Sequence, residues 1–181
     1  MRKPLNAGFT LIELLVVIAV IGIIAAIAIP GLLRARMAGN EASAIASLRV
    51  INSSQHAYMS SCGNGFYAST LLILADPAPV GSGFISPDLV SSGSVDKSGY
   101  RLTMAQGSEA NNAVKDGCNP LGVAADLYSS YYAENIPIDA GRTGTRYFWT
   151  NATGGLFAAG SNVFAGIQIG NIAPGAGAPL Q

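Results

Sequence analysis

Twenty-one consecutive positions, Phe9 to Ile29, read FTLIELLVVIAVIGIIAAIAI and hold a single ionisable side chain, Glu13. At 1.5 Å per residue such a run is about 31 Å long as a helix, which matches the hydrocarbon core of a bilayer. A rod this oily is not stable bare in water and has to be covered by lipid or by other protein. Arg2 and Lys3 before it favour a cytoplasmic N-terminus, while Arg34 and Arg36 beyond its far end pull the other way. Of the 181 residues, 50% are apolar and only 11% charged, where a globular chain carries about a quarter charged. A disordered tail needs low hydrophobicity and high net charge, so this composition excludes one. Ten cations against ten anions also leave no basic footprint, and no nucleic-acid partner is expected.

From Gly31 to Ser61 the chain is Ala, Ser and spaced aliphatics without proline, so the helix is expected to continue. Met37, Ala44, Ile45, Leu48, Ile51, Tyr58 and Met59 recur at helical spacings, with Arg34, Glu41, Arg49, Asn52 and Ser53 placed largely elsewhere on the turn. Cys62-Gly63-Asn64-Gly65 should stop it. Phe9 to Ser61 is 53 residues, about 80 Å if continuously helical. That exceeds any helix a small domain can cover, so most of its length needs partners outside its own domain.

The remainder reads as turns and short strands. Asp76 to Gly83 is too rich in Pro and Gly for a helix or a central strand, and Ile85 to Leu89 is expected to form one turn with Pro87 near its start. Tyr100 to Met104 alternates as a half-buried strand, Tyr128 to Ala133 is a second, and Tyr147–Thr150 with Leu156–Ala158 reads as a hairpin across a glycine turn. Three to four strands would make an antiparallel sheet with one face on the helix. The tail Ala173 to Pro179 has no periodicity and is expected to be irregular. The expected class is α+β: a long N-terminal α-helix, transmembrane in its first half (9–30) and amphipathic in its second (to 61), packed on a small antiparallel β-sheet head of residues 62–181.

Gly8-Phe9-Thr10-Leu11-Ile12-Glu13, after a short basic leader and before the apolar run, closely resembles the prepilin signature of type IV pilins and their pseudopilin relatives. The resemblance implies that leader 1–8 is removed between Gly8 and Phe9 by a dedicated aspartic prepilin peptidase on the cytoplasmic side. It further implies N-methylation of the new Phe9 amine, a bacterial inner-membrane precursor, and a homo-oligomeric helical filament at the cell surface built by pilus or secretion machinery. Glu13 can also be read chemically. A carboxylate at the centre of a membrane span costs about 2.5–3.5 kcal/mol on insertion scales, and no Lys, Arg or His lies within two turns of it. The amine that cleavage creates on a neighbouring, axially shifted copy is a fitting partner, and in pilins the corresponding glutamate is taken to neutralise it and set subunit register. A Glu merely tolerated near the membrane interface is the alternative. Gly22 and Pro30 weaken a helix by about 1 and 3 kcal/mol. A gentle kink accounts for both, and the resemblance implies that the segment between them loses helicity inside the filament.

Cys62 and Cys118 are the two cysteines. An exported head permits a bridge between the helix end and the loop after the first predicted strand, against two separate thiols as the alternative. A metal site is not expected, because two thiols and one histidine, His56, fall short of the usual four ligands. No catalytic constellation accompanies His56, and Asp116, Asp126 and Asp139 are scattered, so neither an enzyme nor a cofactor is expected. No carboxylate follows Arg146, which speaks against the calcium loop of major pseudopilins and favours a type IV pilin over a type II secretion pseudopilin. Asn52-Ser53-Ser54 and Asn151-Ala152-Thr153 fit the glycosylation tripeptide, a weak signal read here as unmodified. Two other classes compete. One is a secreted soluble protein with an ordinary signal peptide cut after Ala26-Ile27-Ala28, and the other is a membrane-anchored enzyme with an exported head. Adhesion, motility, DNA uptake and secretion would all use the same filament scaffold, and nothing in the head selects among them.

Overall fold

A computed structural model describes residues 8–79, 81–90, 93–107, 110–161 and 178–180. The chain forms two compact units, Met1–Arg36 and Met37–Gln181. Helix α1, Leu11–Ser61, contributes residues to both and is helical through Gly22 and Pro30. It starts two residues later than the apolar run does. In the first unit every apolar side chain from Leu11 to Leu33 that is large enough to matter is exposed, as a helix hydrophobic all round must be when nothing covers it.

The second unit has a core of its own. Strand β1 (Tyr67–Ala68), helix α2 (Leu71–Ala75), β2 (Ser94–Lys97), β3 (Tyr100–Gln106), β4 (Leu127–Tyr128), β5 (Tyr131–Pro137), β6 (Tyr147–Asn151), β7 (Leu156–Ala159) and β8 (Ala178–Pro179) follow α1 in the chain. Six of the strands make one antiparallel sheet in the order β2-β3-β5-β6-β7-β8, and β1 pairs with β4 in a separate two-stranded piece. Register puts Leu102 opposite Asn135, Asn135 opposite Phe148 and Phe148 opposite Ala158, all on the face that meets the helix. Against them lie Ala44, Leu48, Ile51 and Tyr58 of α1, four of the seven residues of the predicted stripe, with Ile45 and Met59 partly buried beside them. Full burial of each large apolar side chain in that contact contributes about 1.5–3 kcal/mol.

Polar groups inside this contact fix how the helix lies on the sheet. The Asn135 amide donates to the Ala44 carbonyl at 2.8 Å. Gln55, completely buried, acts as a strand edge in miniature: its amide donates to the Ala68 carbonyl at 2.7 Å and its oxygen accepts the Ala68 N–H at 3.0 Å. Both backbone groups of a buried β1 residue are thereby satisfied, where leaving either bare would cost about 1–3 kcal/mol.

The structure corrects several expectations. Glu41 and Asn52 belong to the covered side of α1. Glu41 is 7% exposed; its carboxylate accepts from the Thr145 N–H at 2.9 Å, the Thr145 hydroxyl at 3.1 Å and Arg146 Nε at 2.8 Å. Asn52 donates to Thr150 Oγ1 at 2.9 Å. The strand expected at Tyr128–Ala133 is two elements, because Tyr128 pairs with Tyr67 while β5 begins at Tyr131 and runs on to Pro137. The sheet has more strands than expected: β2 is a polar edge strand, and β8 lies in the tail that was expected to be irregular, whose residues 173–177 are outside the described ones. The turn at Pro87–Leu89 and the β6–β7 hairpin are as predicted.

Burial pushes the Glu41 carboxyl up, and the bonds from Thr145 and Arg146 together with the Arg146 charge outweigh it and hold it below the ordinary glutamate value. A carboxylate depressed in the folded state adds stability above its unfolded pKa and loses it as pH falls through its folded pKa. Thermal unfolding of the detergent-solubilised chain should therefore show a Tm that falls below about pH 4, and Glu41→Gln should flatten that acid limb while lowering stability at neutral pH by about 1–2 kcal/mol.

Candidate functional site: the head of the apolar helix

The chemistry-bearing residues of the N-terminus sit where α1 begins. Gly8 and Phe9 are exposed and precede the helix. Thr10 is its N-cap residue: the Thr10 carbonyl accepts the first helical bond from the Leu14 N–H at 3.3 Å. Glu13, three residues on, completes a reciprocal cap. One carboxylate oxygen of Glu13 accepts the Thr10 N–H at 3.0 Å and the Thr10 hydroxyl at 2.7 Å, and Thr10 Oγ1 accepts the Glu13 N–H at 3.3 Å. This is the Thr-x-x-Glu capping box, with the negative charge at the positive end of the helix dipole.

The local partner of Glu13 is thus a threonine of its own chain rather than a base. A Thr three residues before a Glu at the start of an apolar run was the signal that would have found it. The cap has a chemical consequence. It ties the carboxylate back to Thr10, the residue that follows Phe9, and leaves its second oxygen with no partner among the described residues. Phe9, Ile12, Glu13, Val16 and Val17 line one shallow, mainly apolar hollow on the helix surface. A single acceptor at the rim of an oily hollow suits a cation delivered together with apolar surface.

Gly22 meets no other heavy atom beyond its own helix. Pro30 lies inside the helix, where it has no N–H to give. Both positions stay helical, and neither is brought together with Glu13 by anything but sequence. At the other end of α1 the predicted stop is built as expected: the Gly63 N–H bonds the Tyr58 carbonyl at 2.7 Å, the Gly65 N–H bonds the Met59 carbonyl at 3.0 Å, and Asn64 and Gly65 take positive φ of 52° and 89°.

Cys62 and Cys118 are bridged, with Cα atoms 4.7 Å apart. Asn119 extends the staple. It accepts from the Tyr58 hydroxyl at 2.9 Å and donates to the Ile73 carbonyl at 2.8 Å, tying α1, α2 and the loop together. Burial, with a smaller push from the Asp76 charge, raises the Tyr58 phenol to about 12, so it stays a donor at any physiological pH. His56 packs edge-on to Tyr67 at 5.9 Å. Among the described residues no His, Cys, Asp and Glu side chains gather as a metal-binding group.

Among the described residues one helix, α1, is long and apolar enough to cross a membrane. Residues 3–29 match the family model of the prokaryotic N-terminal methylation motif. The chain is also 42% identical over 58 residues to the type IV major pilin protein PilA of Myxococcus xanthus (strain DK1622). That similarity covers 32% of this chain and 26% of the relative, so it spans about a quarter of the pilin's length. No solved structure matches the chain. Motif and pilin similarity agree with the capped, oily start of α1, and over that N-terminal stretch the chain is similar to type IV pilins.

Proposed function

We propose that this chain is a structural, non-catalytic subunit of a type IV pilus-like filament. In this reading a prepilin peptidase removes residues 1–8, the Phe9 amine is methylated, and the helix from residue 9 to 30 passes from the membrane into the filament core. Glu13 then takes the Phe9 ammonium of an adjacent copy, and the stretch between Gly22 and Pro30 yields when the filament is pulled.

The observation that carries the reading is the contrast between the two units. The second unit buries its own apolar residues, whereas the first exposes an unbroken apolar surface, with none of its most hydrophobic stretch covered. Exposed apolar area on that scale specifies an environment rather than a fold. Lipid suits it before assembly, and other copies of the same helix suit it afterwards. The free oxygen of Glu13 gives those copies a polar contact that lipid does not offer.

Intact-mass measurement on sheared surface material tests the reading. The expected species starts at Phe9 and is one methyl group heavier than the bare polypeptide, with the Cys62–Cys118 bridge closed. A chain starting at Ile29 would instead establish the secreted-protein alternative and end the filament reading.

A further inference from the structure

Among the described residues four ion pairs, Lys97–Asp88, Arg101–Asp96, Arg142–Asp139 and Arg146–Glu41, engage four of the six cations of the second unit. Arg49 has no partner among the described residues. It lies on the side of α1 that the sheet leaves open, a face made of Ala42, Ala46, Arg49, Val50, Ser53 and Ala57. Small side chains there let another backbone approach closely, and one cation stands in the middle of them.

A second surface of the same unit has the opposite character. The loop from residue 112 to 127 folds back on itself: the Ala113 N–H bonds the Leu127 carbonyl, the Gly117 N–H bonds the Gly122 carbonyl, and Asp116 caps the Ala124 N–H at 2.7 Å. The resulting lobe thrusts apolar side chains into solvent, with Val114 91% exposed and Leu121 and Val123 each 42% exposed. Asp116 and Asp126 flank them, and Lys115 leaves the lobe net negative. The exposed Asp126 carboxylate has no bond or ion pair among the described residues.

We propose that these two surfaces dock on each other between copies of this chain, with the acidic, apolar lobe of one subunit on the open α1 face of the next and Asp126 pairing with Arg49. Charge is complementary, projecting valines and leucine meet a face of small residues, and that face belongs to the same helix whose apolar start has to be covered. Two different patches on one molecule make a heterologous contact, which propagates as an open helical array instead of closing as a dimer.

The proposal rests on the filament-subunit reading, and charge reversal separates the two. In cells making the full chain, Arg49→Asp and Asp126→Arg should each lower sheared filament about tenfold, since like charges at an interface oppose association at every subunit step. The double variant should return it to near the wild-type amount. Thiol titration after denaturation reports the Cys62–Cys118 bridge and shows that each variant has folded. Single variants that assemble like wild type, or a bridged double variant that fails to recover, overturn the docking pair alone. A wild-type chain that yields no filament overturns the subunit reading, and the docking pair with it.

Discussion

Glu13→Gln should abolish filaments as thoroughly as Glu13→Ala. The two substitutions separate the roles the carboxylate could have. As a cap, Glu13 accepts from the Thr10 N–H and hydroxyl; a glutamine oxygen can accept the same bonds, so a purely capping role predicts that Gln is harmless and that Ala costs about 1 kcal/mol of helix stability. As a counter-ion, its charge is what matters. Opposite charges about 4 Å apart attract by roughly 4 kcal/mol at an effective dielectric of 20, before desolvation is subtracted. If half of that survives, removal of the charge weakens each subunit contact about thirtyfold. Because every added subunit meets the same deficit, sheared filament from either variant should fall below about one hundredth of the wild-type amount. Thr10→Ala, which removes the cap's hydroxyl and keeps the charge, should reduce filaments far less. Quantitative immunoblots of sheared fractions, with intact mass to verify that Gly8–Phe9 cleavage persists, decide between the roles. Normal filaments from Glu13→Gln would reduce Glu13 to a helix cap.

The parts of this architecture that rest on hydrophobic pattern were legible without coordinates. The span, the stripe Ala44-Leu48-Ile51-Tyr58 and the helix stop at Cys62-Gly63-Asn64-Gly65 all follow from periodicity and backbone chemistry. What escaped was whatever depends on a polar side chain finding a distant partner. Glu41 looks like a solvent-facing charge until Thr145 and Arg146, more than 100 residues away, arrive to receive it. Gln55 lies beside His56 on the helix and carries no outward sign that it will stand in for a β-strand partner of Ala68. Strand β5 contains Asn135 and ends in Pro137, both poor strand formers; Asn135 is drawn inside by the Ala44 carbonyl, and that bond cannot be seen along the chain. Strand β2 has charged residues because it is a sheet edge, where they discourage pairing with another chain. Thr10 is a different case, since its capping box is a local motif, overshadowed by the apolar run it introduces.

Removing the Cys62–Cys118 bridge should have the largest effect on the stability of the second unit. The cysteines are 56 residues apart in sequence, and closing a loop of that length takes about 4 kcal/mol of conformational freedom from the unfolded chain in the simple entropy treatment. The native side adds to it. The Cys118 N–H bonds the Cys62 carbonyl at 3.0 Å, and the adjacent Asn119 joins Tyr58 of α1 to the Ile73 carbonyl of α2. With the bridge gone, nothing covalent keeps Asn119 at the helix end, and a buried Tyr58 hydroxyl that loses its acceptor costs about 1–3 kcal/mol more. Many domains have only about 5–15 kcal/mol in total. The Cys62→Ala/Cys118→Ala double variant should thus lose roughly 5–7 kcal/mol in denaturant unfolding of the detergent-solubilised chain, followed by Trp149 fluorescence, and export poorly at 37 °C. Asn119→Ala with the bridge intact should lose about half as much, because the crosslink still limits the unfolded state. Equal losses would mean that the hydrogen-bond hub, and not the covalent link, holds the loop to the end of α1.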